Sequence, residues 1–207
     1  MTLSPGTYCG GLHIHRDAVV HLMPGVYVIK DGPLIVGPGG PVCKGGENDD
    51  DDDDDDEGEG CHRLEHGATL KGDNVAFYFT GDLGKNPVYG DSMMRFEPAS
   101  VVEISAPKDG PLAGILLFED RNMAPNLRYE VLSVKARKLV GTIYLPRGRF
   151  VVDTDEDVSQ DSAYTAIVAN RLMLRGSPRL FLNTDYHRTD VPVPAGVGPV
   201  GTSRLTK

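Results

Sequence analysis

The chain of 207 residues contains no tryptophan, only three cysteines, and aromatic residues at 7%. No apolar run approaches the roughly 18 residues that span a bilayer as a helix, and no cationic, apolar, small-residue leader opens the sequence. The reading is therefore of a segment without its own membrane span or signal peptide, beginning abruptly inside a patterned stretch as a piece of something longer. Basic excess is also lacking. The formal net charge is −9, yet 11 of the 30 acidic residues fall between Glu47 and Glu59, including the unbroken run Asp49 to Asp56. The remaining 19 acids face 21 Lys and Arg, so the body is close to neutral. That balance gives no electrostatic case for nucleic acid or anionic lipid as a partner.

Catalytic and cofactor signatures are missing as well. There is no Gly-x-Ser-x-Gly, no His-Glu-x-x-His and no Gly-x-x-x-x-Gly-Lys; "GGPVCKGG" has glycines without the phosphate-cradling spacing. No cofactor is expected. No stretch keeps apolar residues at i, i+3, i+4 and i+7 over three capped turns. Leu127 to Leu139 comes nearest to a helix, but its alternation reads equally well as strand.

What is present is turn residues and short strands. Glycine (25) and proline (15) approach one residue in five, and they punctuate β-branched and aromatic segments of four to seven residues. Most are of that length, the series being Val19–Leu22, Val26–Lys30, Leu34–Val36, Ala68–Lys71, Val75–Thr80, Val101–Ser105, Gly114–Phe118, Tyr129–Val134, Gly141–Leu145, Phe150–Val152, Ala166–Leu174 and Arg179–Asn183. The fold class is all-β. Pro5-Gly6-Thr7-Tyr8 recurs as Pro24-Gly25-Val26-Tyr27, an interval of 19 residues that matches one rung of a solenoid. A right-handed parallel β-helix with one Tyr over the other is the expected architecture, and an antiparallel β-sandwich is the alternative. Residues 1–194 form a single domain in this reading. A disordered acidic insertion interrupts it at about 44–60, and a flexible tail follows at 195–207.

Candidate sites are few. The Asp run offers hard oxygen ligands without a shaped loop, so weak, diffuse Ca²⁺ binding is the most it supports. Asp153, Asp155 and Asp157 alternate like the start of an EF-hand loop, but Val158 stands where Gly is required and Tyr164 where Glu is required. They remain weak metal candidates only. Cys43, Cys61, His62 and His66 could form a zinc tetrad but lack a short Cys-x-x-Cys knuckle. His13 and His15 share one face of a strand and could chelate a metal, but solvated surface histidines are the reading preferred. A carbohydrate-binding or carbohydrate-cleaving β-helix would need a groove of carboxylates and aromatics. The residues available for it are Glu103, Glu119, Asp120 and Glu130, with Tyr78, Tyr89, Tyr129 and Tyr144. Asp109-Gly110-Pro111 is read as a tight turn, Arg121 as the partner of a nearby carboxylate, and Asn183 to Tyr186 as the start of a segment capping the last rung. The prolines at 192 and 194 end the ladder.

In order along the chain come "LSPGTYCGGLHI", "LMPGVYVIKDGPLIV", "VAFYFTGD", "ISAPKDGPLAGILLFEDRN", "LVGTIYLPRGRFVV", "SAYTAIVANRLMLRGSPRLFLNTDY" and "DVPVP". From Leu3 to Pro194, apart from the acidic insertion, this series resembles the C-terminal region of TadG-like proteins, associated in bacteria with the tight-adherence (Flp-type) pilus machinery. The resemblance implies a non-catalytic structural or adhesive module outside the cytoplasm. A membrane segment absent from this chain would anchor it, and other pilus or cell-envelope proteins would be its partners. From spacing alone Cys43 and Cys61 are either thiols or a disulfide closing the neck of the insertion; the resemblance favours the disulfide, with Cys9 pairing elsewhere.

Overall fold

The computed structural model describes residues 1–37, 67–83 and 90–197. Among them regular structure is almost wholly strand, with one 3₁₀ turn at Tyr186–Arg188 and no α-helix. The strands fall in threes. β1 (Thr2–Leu3), β2 (Gly6–Cys9) and β3 (Leu12–His15) are followed by β4 (Val19–Leu22), β5 (Gly25–Lys30) and β6 (Leu34–Gly37). Next come β7 (Thr69–Gly72), β8 (Val75–Thr80) and β9 (Ser92–Phe96), then β10 (Val101–Ser105), β11 (Ile115–Glu119) and β12 (Arg128–Val131). β13 (Lys135–Asp153) runs through all three positions without a break, and β14 (Asp157–Val158), β15 (Thr165–Arg175) and β16 (Arg179–Leu180) complete the chain.

Every named strand pair is parallel. The longest hydrogen-bonded path is β1-β4-β7-β10-β13-β11-β8-β5-β2, in which β13 joins two parallel walls and curls the sheet. A further wall, β3-β6-β9-β12, also meets β13, and β15 lies on it from the other side. The antiparallel sandwich is thereby overturned; the one antiparallel contact outside named strands is the isolated Tyr164–Thr184 bridge.

Alternation fills the space between the walls. In β5 Tyr27 and Ile29 are fully buried while Val28 and Lys30 point outward, the period-2 pattern of a strand with one apolar side. Register carries this from strand to strand. Leu12, Leu34, Met94, Tyr129, Phe150 and Leu172 form one inward row. Ile14, Val36, Phe96, Val131, Val152 and Leu174 form the next. The middle of each row is closed to water, whereas Leu172 and Leu174 are 44% and 53% exposed on the final strand.

The Tyr8 and Tyr27 rings do stack, at 6.0 Å and 18°. The offset between paired strands is 19 residues at β1 and β4, where Thr2 meets His21, as the motif interval predicts; it lengthens to 21 at β2 and β5, where Gly6 meets Tyr27, and to 22 at β3 and β6. Both Pro-Gly-x-Tyr motifs enter their strands at the glycine, and the two extra residues arise because Gly6 lies opposite Tyr27 and not Gly25. Gly25 makes this corner possible: it sits at φ +141°, and a Cβ there would meet Pro5 at 2.7 Å. Leu127 to Leu139, which reads equally well as strand, holds β12, a turn and the start of β13. One other expectation needs correcting: Gly141–Leu145 and Phe150–Val152 belong to one strand that absorbs a register shift between Leu145 and Arg149. The segment from Asn183 to Tyr186 lies along the start of β15: Thr184 bridges to Tyr164, the Thr165 amide donates to Asn183 O, the Asp185 amide donates to Ala163 O, and the Tyr186 ring packs on Tyr164 at 5.3 Å. The chain then reaches an earlier corner, where the Tyr164 hydroxyl donates to Pro192 O at 2.6 Å and Val191 joins the core.

Candidate functional site

The outward positions of the β2-β5-β8-β11-β13-β15 wall bring chemistry-bearing side chains together. Register aligns Thr7, Val28, Tyr78, Phe118, Tyr144 and Val168 in one row. Tyr78 stacks on Phe118 with centroids 5.3 Å apart at 24°, and Phe118 on Tyr144 at 5.3 Å and 22°. All three rings are half-buried. Parallel, in-register pairing produces this ladder directly, since equal positions on neighbouring strands lie one strand spacing apart.

A polar border runs along one side of the rings. The Asp120 carboxylate accepts hydrogen bonds from the Thr80 hydroxyl (2.8 Å), the Tyr78 hydroxyl (3.0 Å) and the Asn122 backbone amide (2.9 Å). These donors, led by the Asn122 amide, hold its pKa below the ordinary carboxylate value. Burial, reinforced by Asp120, pushes the Tyr78 phenol up. Arg121 departs from expectation: it donates to the Tyr144 hydroxyl at 2.8 Å, and its guanidinium lies 5.7 Å from that ring's centroid.

The other carboxylates do not converge. Glu119 occupies an inward position that Ile29 and Phe79 fill on earlier strands, and it is fully buried. The backbone amides of Arg147 and Gly148 donate to its Oε2 at 2.8 and 2.9 Å, and the Tyr129 hydroxyl to its Oε1 at 3.2 Å. Burial dominates over these donors and raises its pKa. Its place is the corner where β13 bends, and Gly148 leaves room for it: a Cβ there would meet Tyr129 at 2.6 Å and Glu119 at 2.9 Å. Glu130, 4% exposed, receives Arg95 Nη1 at 3.2 Å, Arg128 Nη1 at 3.0 Å and the Ser92 hydroxyl. Asp91 bridges Arg128 and Arg149 across adjacent strands, the latter at 3.1 Å. Glu103 pairs with Lys71 at 2.9 Å. Each of these acids thus ties neighbouring strands or a corner.

Two concavities lie along the corner between the first two walls. A cleft of about 770 Å³ opens among Asp73, Lys108, Lys138, Asp161 and the 187–191 segment, and one of about 420 Å³ adjoins it through Asn74 and Lys108. Their charges are already matched: Lys138 reaches Asp73 at 2.9 Å, and Lys108 pairs with Asp190. Ser105 and Lys138 together depress the Asp73 pKa.

Of the weak metal candidates, Asp157 turns both oxygens to Arg179, at 2.7 and 3.1 Å, and Asp155 accepts from the Ser177 amide at 3.2 Å. Asp153 ends β13 opposite Arg175. Among the described residues no three His, Cys, Asp or Glu side chains gather into a metal-type cluster. His13 and His15 meet edge to face at 5.4 Å, and burial lowers the His13 pKa. Cys9 is a free, exposed thiol. Of the aromatics expected to line a sugar groove, Tyr78 and Tyr144 stand on the outward row, while Tyr129 is fully buried. Tyr89, Cys43, Cys61, His62, His66 and the Asp run lie outside the described residues. Phe118 was missed in the sequence because "ILLFE" reads as one apolar run; its outward direction follows only from the pairing with Tyr78 and Tyr144.

No protein-family model, curated protein or solved structure matches this chain. No described helix is long and apolar enough to cross a membrane.

Proposed function

We propose that this chain is a non-catalytic structural and adhesive module, built as a right-handed parallel β-solenoid and displayed outside the cytoplasm. The three walls are its faces, and each set of three strands is one coil, with right-handed connections as parallel crossovers favour. In this reading it belongs to a TadG-like envelope protein and meets other pilus or cell-envelope components. The observation that carries the proposal is the use made of its charged groups. Glu119, Glu130, Asp91 and Glu103 each bind the coils to one another, which is what a stiff stack requires and what a catalytic carboxylate pair does not do. The outward aromatic row is the exposed surface through which such a rod would adhere.

The test uses intact cells carrying the full protein. Protease added outside degrades the chain, and deleting its coding segment lowers attachment of the cells to a surface. Protection of the chain inside intact cells would contradict the extracytoplasmic reading. Turnover of any polysaccharide by the purified chain would move it to the rival class of carbohydrate-active enzymes.

A further inference from the structure

We propose that the outward row from Thr7 to Val168 is a binding track for an extended, uncharged glycan lying along the axis of the stack. The inference rests on the adhesive reading above and names its ligand.

Five strand-to-strand steps separate Thr7 from Val168, which at about 4.8 Å each gives a track of roughly 24 Å. Its middle is three consecutive half-buried aromatic rings, Tyr78, Phe118 and Tyr144. The face is open, so it cannot enclose most of a small molecule as a ligand pocket does, and a polymer that gains from repetition suits it better. Width argues the same way. Thr80 and Asp120 bound the track on one side, while Ala76 and Thr142, both buried, lie on the other. A strip one ring wide falls short of the roughly 800 Å² per partner typical of a stable protein interface. A chain one sugar wide can follow it, setting C–H faces against the rings and hydroxyls against the border.

That border supplies both kinds of hydrogen-bonding group: the Asp120 carboxylate and the Thr80 oxygen, whose proton already goes to Asp120, accept, while Arg121 and the Tyr144 hydroxyl, which accepts from Arg121 and keeps its own proton, donate. Asp120 and Arg121 carry opposite charges on the same edge, and Lys30 with Asp31 forms a neutral pair beyond them. No net field along the track favours an anionic polymer.

Affinity electrophoresis in native gels tests this, with hydroxyethylcellulose, xylan and galactomannan as neutral probes and polygalacturonate as the charged one. At least one neutral polymer retards the chain, and polygalacturonate does not. Phe118→Val and Tyr144→Val keep β-branched side chains of the kind that already stand at Val28 and Val168, so folding is retained; unchanged far-ultraviolet circular dichroism confirms it. Each weakens retardation about tenfold, as loss of one aromatic contact predicts. Arg121→Ala gives a second, fold-neutral reduction. Absence of retardation on all neutral probes, retardation only by polygalacturonate, or full retention of binding in both valine variants would each overturn the proposal. A null result with cell attachment and external protease sensitivity intact sinks the glycan track alone, whereas protection from external protease sinks the adhesive reading.

Discussion

Three leucines at one inward row position offer a controlled perturbation. Leu12, Leu34 and Leu172 occupy the same register position on β3, β6 and β15, so truncating each to alanine removes the same atoms from the same environment type. Only their place along the stack differs. Leu34 is fully buried between Leu12 and Met94, and its neighbours are fixed by strand pairing above and below. Leu34→Ala therefore loses both transfer energy and a cavity that cannot collapse, about 3–4 kcal/mol. Leu172 is 44% exposed on the final strand, so a little over half of a roughly 2 kcal/mol burial is forfeited and the gap opens to water. Leu172→Ala costs about 1 kcal/mol, and partly buried Leu12 falls between. Urea unfolding followed by circular dichroism measures all three, with equal m-values showing that the same transition is compared. Equal losses at the three positions, or a larger loss at Leu172 than at Leu34, would refute the reasoning that burial grows toward the middle of a stack.

The buried acids give further tests. Because burial raises the Glu119 pKa above its unfolded value of 4.5, the folded state holds this proton more tightly. Its contribution to stability is complete below about pH 4.5 and fades as pH rises through the folded value. Glu119→Gln removes that dependence, so the melting temperature of the variant relative to the parent climbs from about pH 4 to about pH 8. A pH-independent difference would show that the amides of Arg147 and Gly148 hold the carboxylate at its ordinary value. Glu130→Ala removes one of two carboxylate partners from Arg95 and Arg128, which keep Glu97 and Asp91, leaves the buried Ser92 hydroxyl without this acceptor, and costs about 2 kcal/mol, while Lys71→Ala at the exposed Lys71–Glu103 pair costs less than about 1 kcal/mol. Paired urea titrations compare the two, and similar losses would mean that the buried network is no more than a surface ion pair.

Most strands are legible from the sequence because their alternation is clean: Val75–Thr80 and Val101–Ser105 begin and end where the pattern does. β9 was not, since consecutive Met93 and Met94 are both buried at a register shift opposite Arg128 and Tyr129, and a bulge erases alternation. β13 reads as two strands because Pro146, Arg147 and Gly148 look like a turn; the chain stays extended there because Glu119 satisfies the amides that the bend frees. The 19-residue interval holds between β1 and β4 but lengthens to 21 between β2 and β5 for a related reason. A motif marks where a corner lies, whereas register is set by which side chains meet across strands, as Gly6 and Tyr27 do. The aromatic row was half visible. Tyr78 and Tyr144 stood out by residue type, but only pairing over tens of residues shows that Phe118 completes the row and that Tyr129 faces the interior.

The account depends above all on parallel, in-register stacking of segments distant in sequence, and a disulfide reports it directly. Lys71 and Glu103 are register partners on β7 and β10 with outward side chains, 32 positions apart. With Cys9, Cys43 and Cys61 changed to serine, the Lys71→Cys, Glu103→Cys double variant closes a bridge under mild oxidation, since paired Cα atoms lie about 4.8 Å apart. The Lys71→Cys, Val101→Cys control is displaced by two residues, beyond about 7 Å, and does not close. Failure of the first pair, or closure of the control in preference to it, would contradict parallel stacking and everything built on it.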